Sequence, residues 1–106
     1  MKLAIVIYST DAETLWNGFR LGVFALKAGD QVKAFLFARG VECESHTAAP
    51  FDVKQMMQSF VDAGGEILAC GTCLKLRKSP GSELCPLSTM KDLYAMIKDC
   101  DKALTF

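Results

Sequence analysis

Two cysteines three residues apart, Cys70 and Cys73 in the stretch ILACGTCLKLRK (residues 67–78), are the side chains here best suited to chemistry. An apolar run ends in the first, Gly71 follows at once, and Lys75, Arg77 and Lys78 come after the second. The thiolate, not the thiol, attacks, so the question is what would ionise a sulfur at this place. If a helix begins at Gly71 or Thr72, its unpaired N–H groups and positive dipole end point towards the Cys70 sulfur. Such surroundings lower a cysteine pKa from roughly 8.5 to about 3.5–7.5. This reading predicts an exposed, nucleophilic Cys70. The opposing reading is inert packing, because free cysteine is among the most buried residue types. The local sequence leaves both open.

Cys73 would share a helix face with Cys70, so it could resolve what Cys70 attacks and close a CxxC disulfide. A metal would need more ligands. Zinc could in principle take Cys70, Cys73, Cys85 and His46. The second pair is Cys/His, in CESH (residues 43–46), rather than another CxxC, and no metal or other cofactor is expected. His46, in a polar loop, reads as a solvated side chain, and Cys100 reads as packing. Cys85, between Leu84 and Pro86, could do either, and its loop could fold over the Cys70 site.

The elements that must position these thiols follow from periodicity. KLAIVIYS (residues 2–9) is a short continuous apolar run, as expected of a parallel strand covered on both faces. Ser9, Thr10 and Asp11 offer N-cap oxygens, and Leu15, Phe19, Val23 and Leu26 then mark one face of a helix that Gly29-Asp30 stops. QVKAFLFA (residues 31–38) reads as a second strand ending at Arg39-Gly40. Val41 to Phe51, polar and containing Pro50, reads as a loop. Asp52 with Gln55 makes a capping box before Val53, Met56, Met57, Phe60 and Val61, whose spacing predicts a helix with its methionines in the core. Gly64-Gly65 ends it, and EILAC (residues 66–70) is a third strand. A short helix over TCLKLRK (residues 72–78), a Pro- and Gly-broken stretch to Leu87, a helix from Thr89 carrying Met90, Leu93, Tyr94 and Ile97, and a last strand, KALTF (residues 102–106), complete the chain. Alternating strands and helices predict a three-layer α/β/α domain with a parallel sheet of four to five strands, in the flavodoxin-like class. Chemistry in such sheets sits beyond the carboxyl ends of the strands, which is where Cys70 falls.

Composition narrows the function. The 106 residues suit one domain spanning 1–106, with 51% hydrophobic and 23% charged residues. Twelve basic against twelve acidic side chains leave no net charge, so a nucleic-acid partner has little electrostatic support. The apolar run Leu3–Tyr8 is too short for a secretory core, and no stretch approaches the roughly 18 apolar residues of a spanning helix. No membrane association is expected, and the location expected is cytoplasmic. Five cysteines there suggest working or packed thiols rather than a disulfide framework.

Over nearly its full length the chain resembles the DsrE/DsrF-like family of small sulfur-relay proteins, TusD-type subunits included. The likeness lies in KLAIVIYS, in VKAFLFARGV (residues 32–41), in the apolar strand closing on Cys70 with Arg77 seven residues on, and in STMKDLYAMIKDCDKALTF (residues 88–106). It implies a sulfurtransferase-like persulfide carrier in which Cys70 accepts sulfane sulfur from a donor protein and passes it to a thiol of an acceptor protein. In that scheme Gly71 and Thr72 supply N–H groups to the terminal sulfur, Arg77 or Lys75 keeps the potential positive, and Ser9 and Thr10 line the pocket. It also implies homo-oligomers, trimers or hexamers. Cys73 departs from the TusD-type pattern, which has a small apolar residue there, and could resolve a Cys70 persulfide with release of sulfide. A non-catalytic assembly subunit and a Cys70/Cys73 thiol–disulfide couple are the alternatives.

Overall fold

The computed structural model describes residues 1–106. The strands are β1 (Lys2–Ile7), β2 (Gln31–Leu36), β3 (Glu66–Cys70), β4 (Leu87–Ser88) and β5 (Lys102–Thr105), and the helices are α1 (Ala12–Lys27), α2 (Val53–Asp62), α3 (Gly71–Leu76) and α4 (Met90–Asp99). All strand pairs are parallel, in the order β4-β3-β2-β1-β5. The chain therefore walks one way from β1 to β4 and then returns to lay β5 beside β1. Flavodoxin-like sheets run 2-1-3-4-5 instead. Right-handed crossovers put α1 and α2 on one face and the returning α4 on the other.

The helix starts sit where the sequence offers oxygen acceptors. Asp11 Oδ2 accepts from Thr14 N at 2.9 Å, Asp52 Oδ1 from Gln55 N at 3.0 Å, and Thr89 Oγ1 from Asp92 N at 3.3 Å. Each satisfies an N–H that the first turn leaves orphaned. On the α1–α2 face the core holds Leu3, Ile5, Ile7, Leu15, Phe19, Met57 and Phe60, with Phe19 and Phe60 edge to face at 5.6 Å. Phe60 needs small neighbours. A Cβ on Gly22 or Gly65 would lie 2.5 or 2.3 Å from its ring. The opposite face is thinner, with Ala4, Val6 and Phe35 of the sheet against Leu93 and Met96 of α4. No helix is long and apolar enough to cross a membrane.

Two elements depart from the periodic reading. The segment read as a loop opens as a 3₁₀ helix, Ala38–Ser45, entered through Ala38 at φ +52° and burying Gly40 and Cys43. Its residues lack a 3.6 period because one turn of 3₁₀ helix takes three. Strand β4 is only two residues long, too short for any alternation to register.

Candidate functional site

Cys70 ends β3 and Gly71 opens α3, so the chain turns from strand to helix at the carboxyl edge of the sheet. An open cleft of about 540 Å³ lies there, lined by Cys70, Gly71, Thr72, Cys73 and Lys75 of one segment and Leu87, Ser88, Thr89, Met90 and Asp92 of the next. Pairing of Cys70 with Ser88 in the sheet register holds the two segments together. The Asp92 carboxylate accepts from Ser88 Oγ at 2.7 Å, a bond that holds it below the usual carboxylate range and turns its charge towards the serine.

The two thiols occupy different surroundings, and not those expected. Cys70 is only 4% exposed and packs with Ala4, Val6, Phe35, Leu93 and Met96. As the N-cap residue of α3 its side chain receives no capping hydrogen bond. A six-residue helix offers little aligned dipole, and the β-region backbone of Cys70 leaves its sulfur among the hydrocarbon. The expectation of an exposed Cys70 under converging amides is corrected on both counts.

The amide goes to the other sulfur. Ala38 N–H donates to Cys73 Sγ at 3.1 Å, and Cys73 is half-buried rather than sealed. Arg77 Nη1 donates to the Cys73 carbonyl at 3.0 Å, while its Nε lies 3.6 Å from Glu42 Oε2. Burial pushes the Cys73 thiol above its ordinary value. The Ala38 amide and the Arg77 charge act against that shift, and the neighbouring Cys70 thiol adds to it. Ala38 could not be found from sequence, since it lies 35 residues from Cys73 and acts through main chain alone.

The remaining candidates lie elsewhere. Ser9 and Thr10 do not line the cleft. Ser9 Oγ accepts from Asp11 N at 3.0 Å, and His46 Nε2 stands 2.8 Å from the Thr10 carbonyl oxygen, so His46 is engaged rather than solvated. Phe106 extends the pairing of β5 with β1, its N–H donating to the Val6 carbonyl and its carbonyl accepting from Tyr8 and Ser9 N–H. Cys85 turns away from Cys70 and is buried with Cys43 and Leu74 in the α1–α2 core. Cys100 leans on the α4-face core, its Sγ donating to the Ile97 carbonyl at 3.2 Å. No three His, Cys, Asp or Glu side chains converge as a metal ion would require, so the set Cys70, Cys73, Cys85 and His46 is split.

The buried pair sets a pH limit. Burial raises the Cys43 thiol from 9.0 to about 12 and raises Cys85 as well. Below pH 9 both are neutral whether the chain is folded or not. Above it the unfolded chain releases protons that the folded chain keeps, so stability falls as pH rises towards 12. For Cys43 the loss approaches about 4 kcal/mol. Urea unfolding from pH 8 to 11 should show a decline that is shallower in Cys43→Ala. Equal slopes would refute this account.

The model of the DsrE/DsrF-like family matches residues 1–106. An uncharacterized protein of Methanocaldococcus jannaschii is 29% identical, covering 100% of both chains. One of Methanopyrus kandleri is 30% identical over 89% of this chain and 83% of its own length. Among solved structures, the YchN protein of E. coli superposes with a TM-score of 0.87 at 22% identity, covering 100% of this chain and 99% of that one. A conserved protein of unknown function from Bacteroides thetaiotaomicron gives 0.79 at 18% identity, covering 99% and 94%. These two likenesses speak to the fold.

Proposed function

The chain belongs to the DsrE/DsrF-like family, and on that premise we propose that it carries sulfane sulfur as a persulfide on Cys70 and passes it to a partner thiol. Family membership points to sulfur relay in general; the carrier role is the finer step. The observation that supports it most is Cys70 itself, a thiol at the end of a central strand lining an open cleft of about 540 Å³. A persulfide needs space for one added sulfur and a route for another protein's cysteine, and the cleft that Cys70 borders supports this reading. Gly71, Thr72 and Lys75 line the same space, so the Lys75 ammonium supplies positive charge to the cleft in which an outer sulfur anion would stand. The donor is a protein presenting a persulfide and the acceptor a protein presenting a thiol, both in the reducing cytoplasm that such an exchange requires.

The test is chemical. The reduced chain is incubated with a persulfide donor, alkylated, digested and sequenced by mass. Added sulfur on Cys70 supports the carrier, and its absence from Cys70 overturns it. One observation favours the alternative of a non-catalytic assembly subunit, namely the 4% exposure of Cys70 among apolar neighbours. The same experiment separates the two.

Self-association belongs to this reading. Met90, Tyr94 and Ile97 form an exposed stripe at i, i+4 and i+7 on α4, and β5 is an edge strand exposed along all four residues. Such surface invites a second copy. Light scattering is expected to give the mass of a trimer or hexamer. A monomer at all working concentrations would remove this part.

A further inference from the structure

The placement of Cys73 raises a question that a simple carrier does not answer. A relay protein that only stores sulfur has no need of a second thiol in the same cleft, still less one served by a main-chain amide. Here both cysteines line one cleft, three residues apart across the β3–α3 junction. The amide that reaches Cys73 comes from Ala38, a non-glycine residue held at φ +52°. That backbone conformation costs of order 1–2 kcal/mol and persists only where the surroundings fix it. They do: Gly40 packs against the Ile7 carbonyl, Cys43 Sγ donates to the Gly40 carbonyl at 2.7 Å, and Glu42 lies beside Arg77. An N–H directed at sulfur stabilises the thiolate over the thiol. Burial still holds the Cys73 thiol above its ordinary value, but of the two sulfurs it is the one that solvent reaches and that a main-chain amide can hold as thiolate, while Cys70, 4% exposed, is the one placed to be attacked.

We propose that Cys73 is a built-in acceptor that discharges the Cys70 persulfide as hydrogen sulfide. The inference rests on the reading that Cys70 carries sulfane sulfur. In the step, Cys73 Sγ loses its proton and attacks Cys70 Sγ. The Cys73–Cys70 sulfur–sulfur bond forms as the bond from Cys70 to the outer sulfur breaks. The outer sulfur, protonated in the persulfide as it reacts, leaves with the bonding electron pair, takes the Cys73 proton as its second, and departs as hydrogen sulfide. Sulfane sulfur is reduced to sulfide, and two thiol sulfurs are oxidised to a disulfide. A dithiol, free or on a protein, resets the site by thiol–disulfide exchange and is itself oxidised. The substrate class is therefore sulfane sulfur plus a dithiol, and the product is sulfide. A docked acceptor thiol competes with Cys73 for the same persulfide, so the chain hands sulfur on when a partner is present and releases it when none is.

The test follows a single turnover without oxygen. Reduced full-length chain is loaded with glutathione persulfide and freed of donor by rapid desalting. Intact mass and sulfide are then read over time for the parent chain, Cys73→Ser and Cys73→Ala. In the parent, the form heavier by one sulfur is expected to convert to one lighter than the reduced chain by two hydrogens, with one sulfide released per chain. In both variants the heavier form should persist at least about tenfold longer, since the neighbouring thiol is gone. The parent's rate should rise with pH as Cys73 ionises, with no such rise in the variants, a difference that mere packing would not produce. If the parent keeps its persulfide as long as the variants do, or sulfide leaves without the disulfide, the inference fails and the carrier stands. If neither the parent nor the variants take up sulfur, the carrier reading falls and the inference with it.

Discussion

Cys70→Ala is expected to reduce sulfur uptake at the cleft to background while leaving the chain folded. The thiol sits among Ala4, Val6, Phe35, Leu93 and Met96, so alanine removes one sulfur from an apolar site and costs about 1 kcal/mol or slightly more. Serine is the worse control. Its hydroxyl would enter hydrocarbon at a position where no main-chain amide caps the side chain, at about 1–3 kcal/mol for an unpaired polar group. Comparison of the two variants separates lost chemistry from lost packing. Uptake should vanish in both, and the urea midpoint should fall further in Cys70→Ser. Uptake retained in a folded Cys70→Ala would move the carrier to another cysteine.

Gly40→Ala should have the largest effect on stability of any single methyl group in the chain. The added Cβ would stand 2.3 Å from the Ile7 carbonyl oxygen, and the obstacle is backbone of the interior strand β1 rather than the end of a flexible side chain. Either β1 or the 3₁₀ helix must shift, and overpacking of this kind costs about 1–3 kcal/mol or more. The added methyl at Gly29 meets nothing within 4 Å, so a comparable loss there would come only from its φ of +99°. The Gly40 shift has a second consequence, because Ala38 is two residues away and its N–H serves Cys73. Thermal unfolding should show a lowered midpoint for Gly40→Ala, and Cys73 alkylation should slow in the folded variant. An unchanged midpoint would mean that the segment yields without strain.

Much of this architecture was readable from residue order. The 3.6-residue spacing of Leu15, Phe19, Val23 and Leu26 marks α1, the run through Ile5 marks β1, and Asp11, Asp52 and Thr89 stand at the helix starts as their side-chain oxygens suggest. These signals are local, and local signals survive folding when one face of an element is buried. Contacts made between distant segments were hidden. Nothing about Ala38 announces a left-handed backbone, since alanine rarely adopts one, and its bond to Cys73 joins the end of β2 to α3. Likewise, the strand end at Cys70 is legible, but whether its sulfur meets water depends on Leu93 and Met96 arriving from α4. Sequence assigned the amide to Cys70, where the fold delivers it to Cys73.

The sheet also sorts the sulfur. Cys70, Cys73 and Cys100 lie on the α4 side, while Cys43 and Cys85 lie on the other with the aromatic core between helices. Five strands of hydrogen-bonded backbone stand between the two sets, like a bulkhead between compartments of a hull. Of the five, Cys73 and Cys100 are the two that solvent reaches, and both stand on the thinner side, so a reagent that modifies them leaves the larger core and its two sulfurs intact.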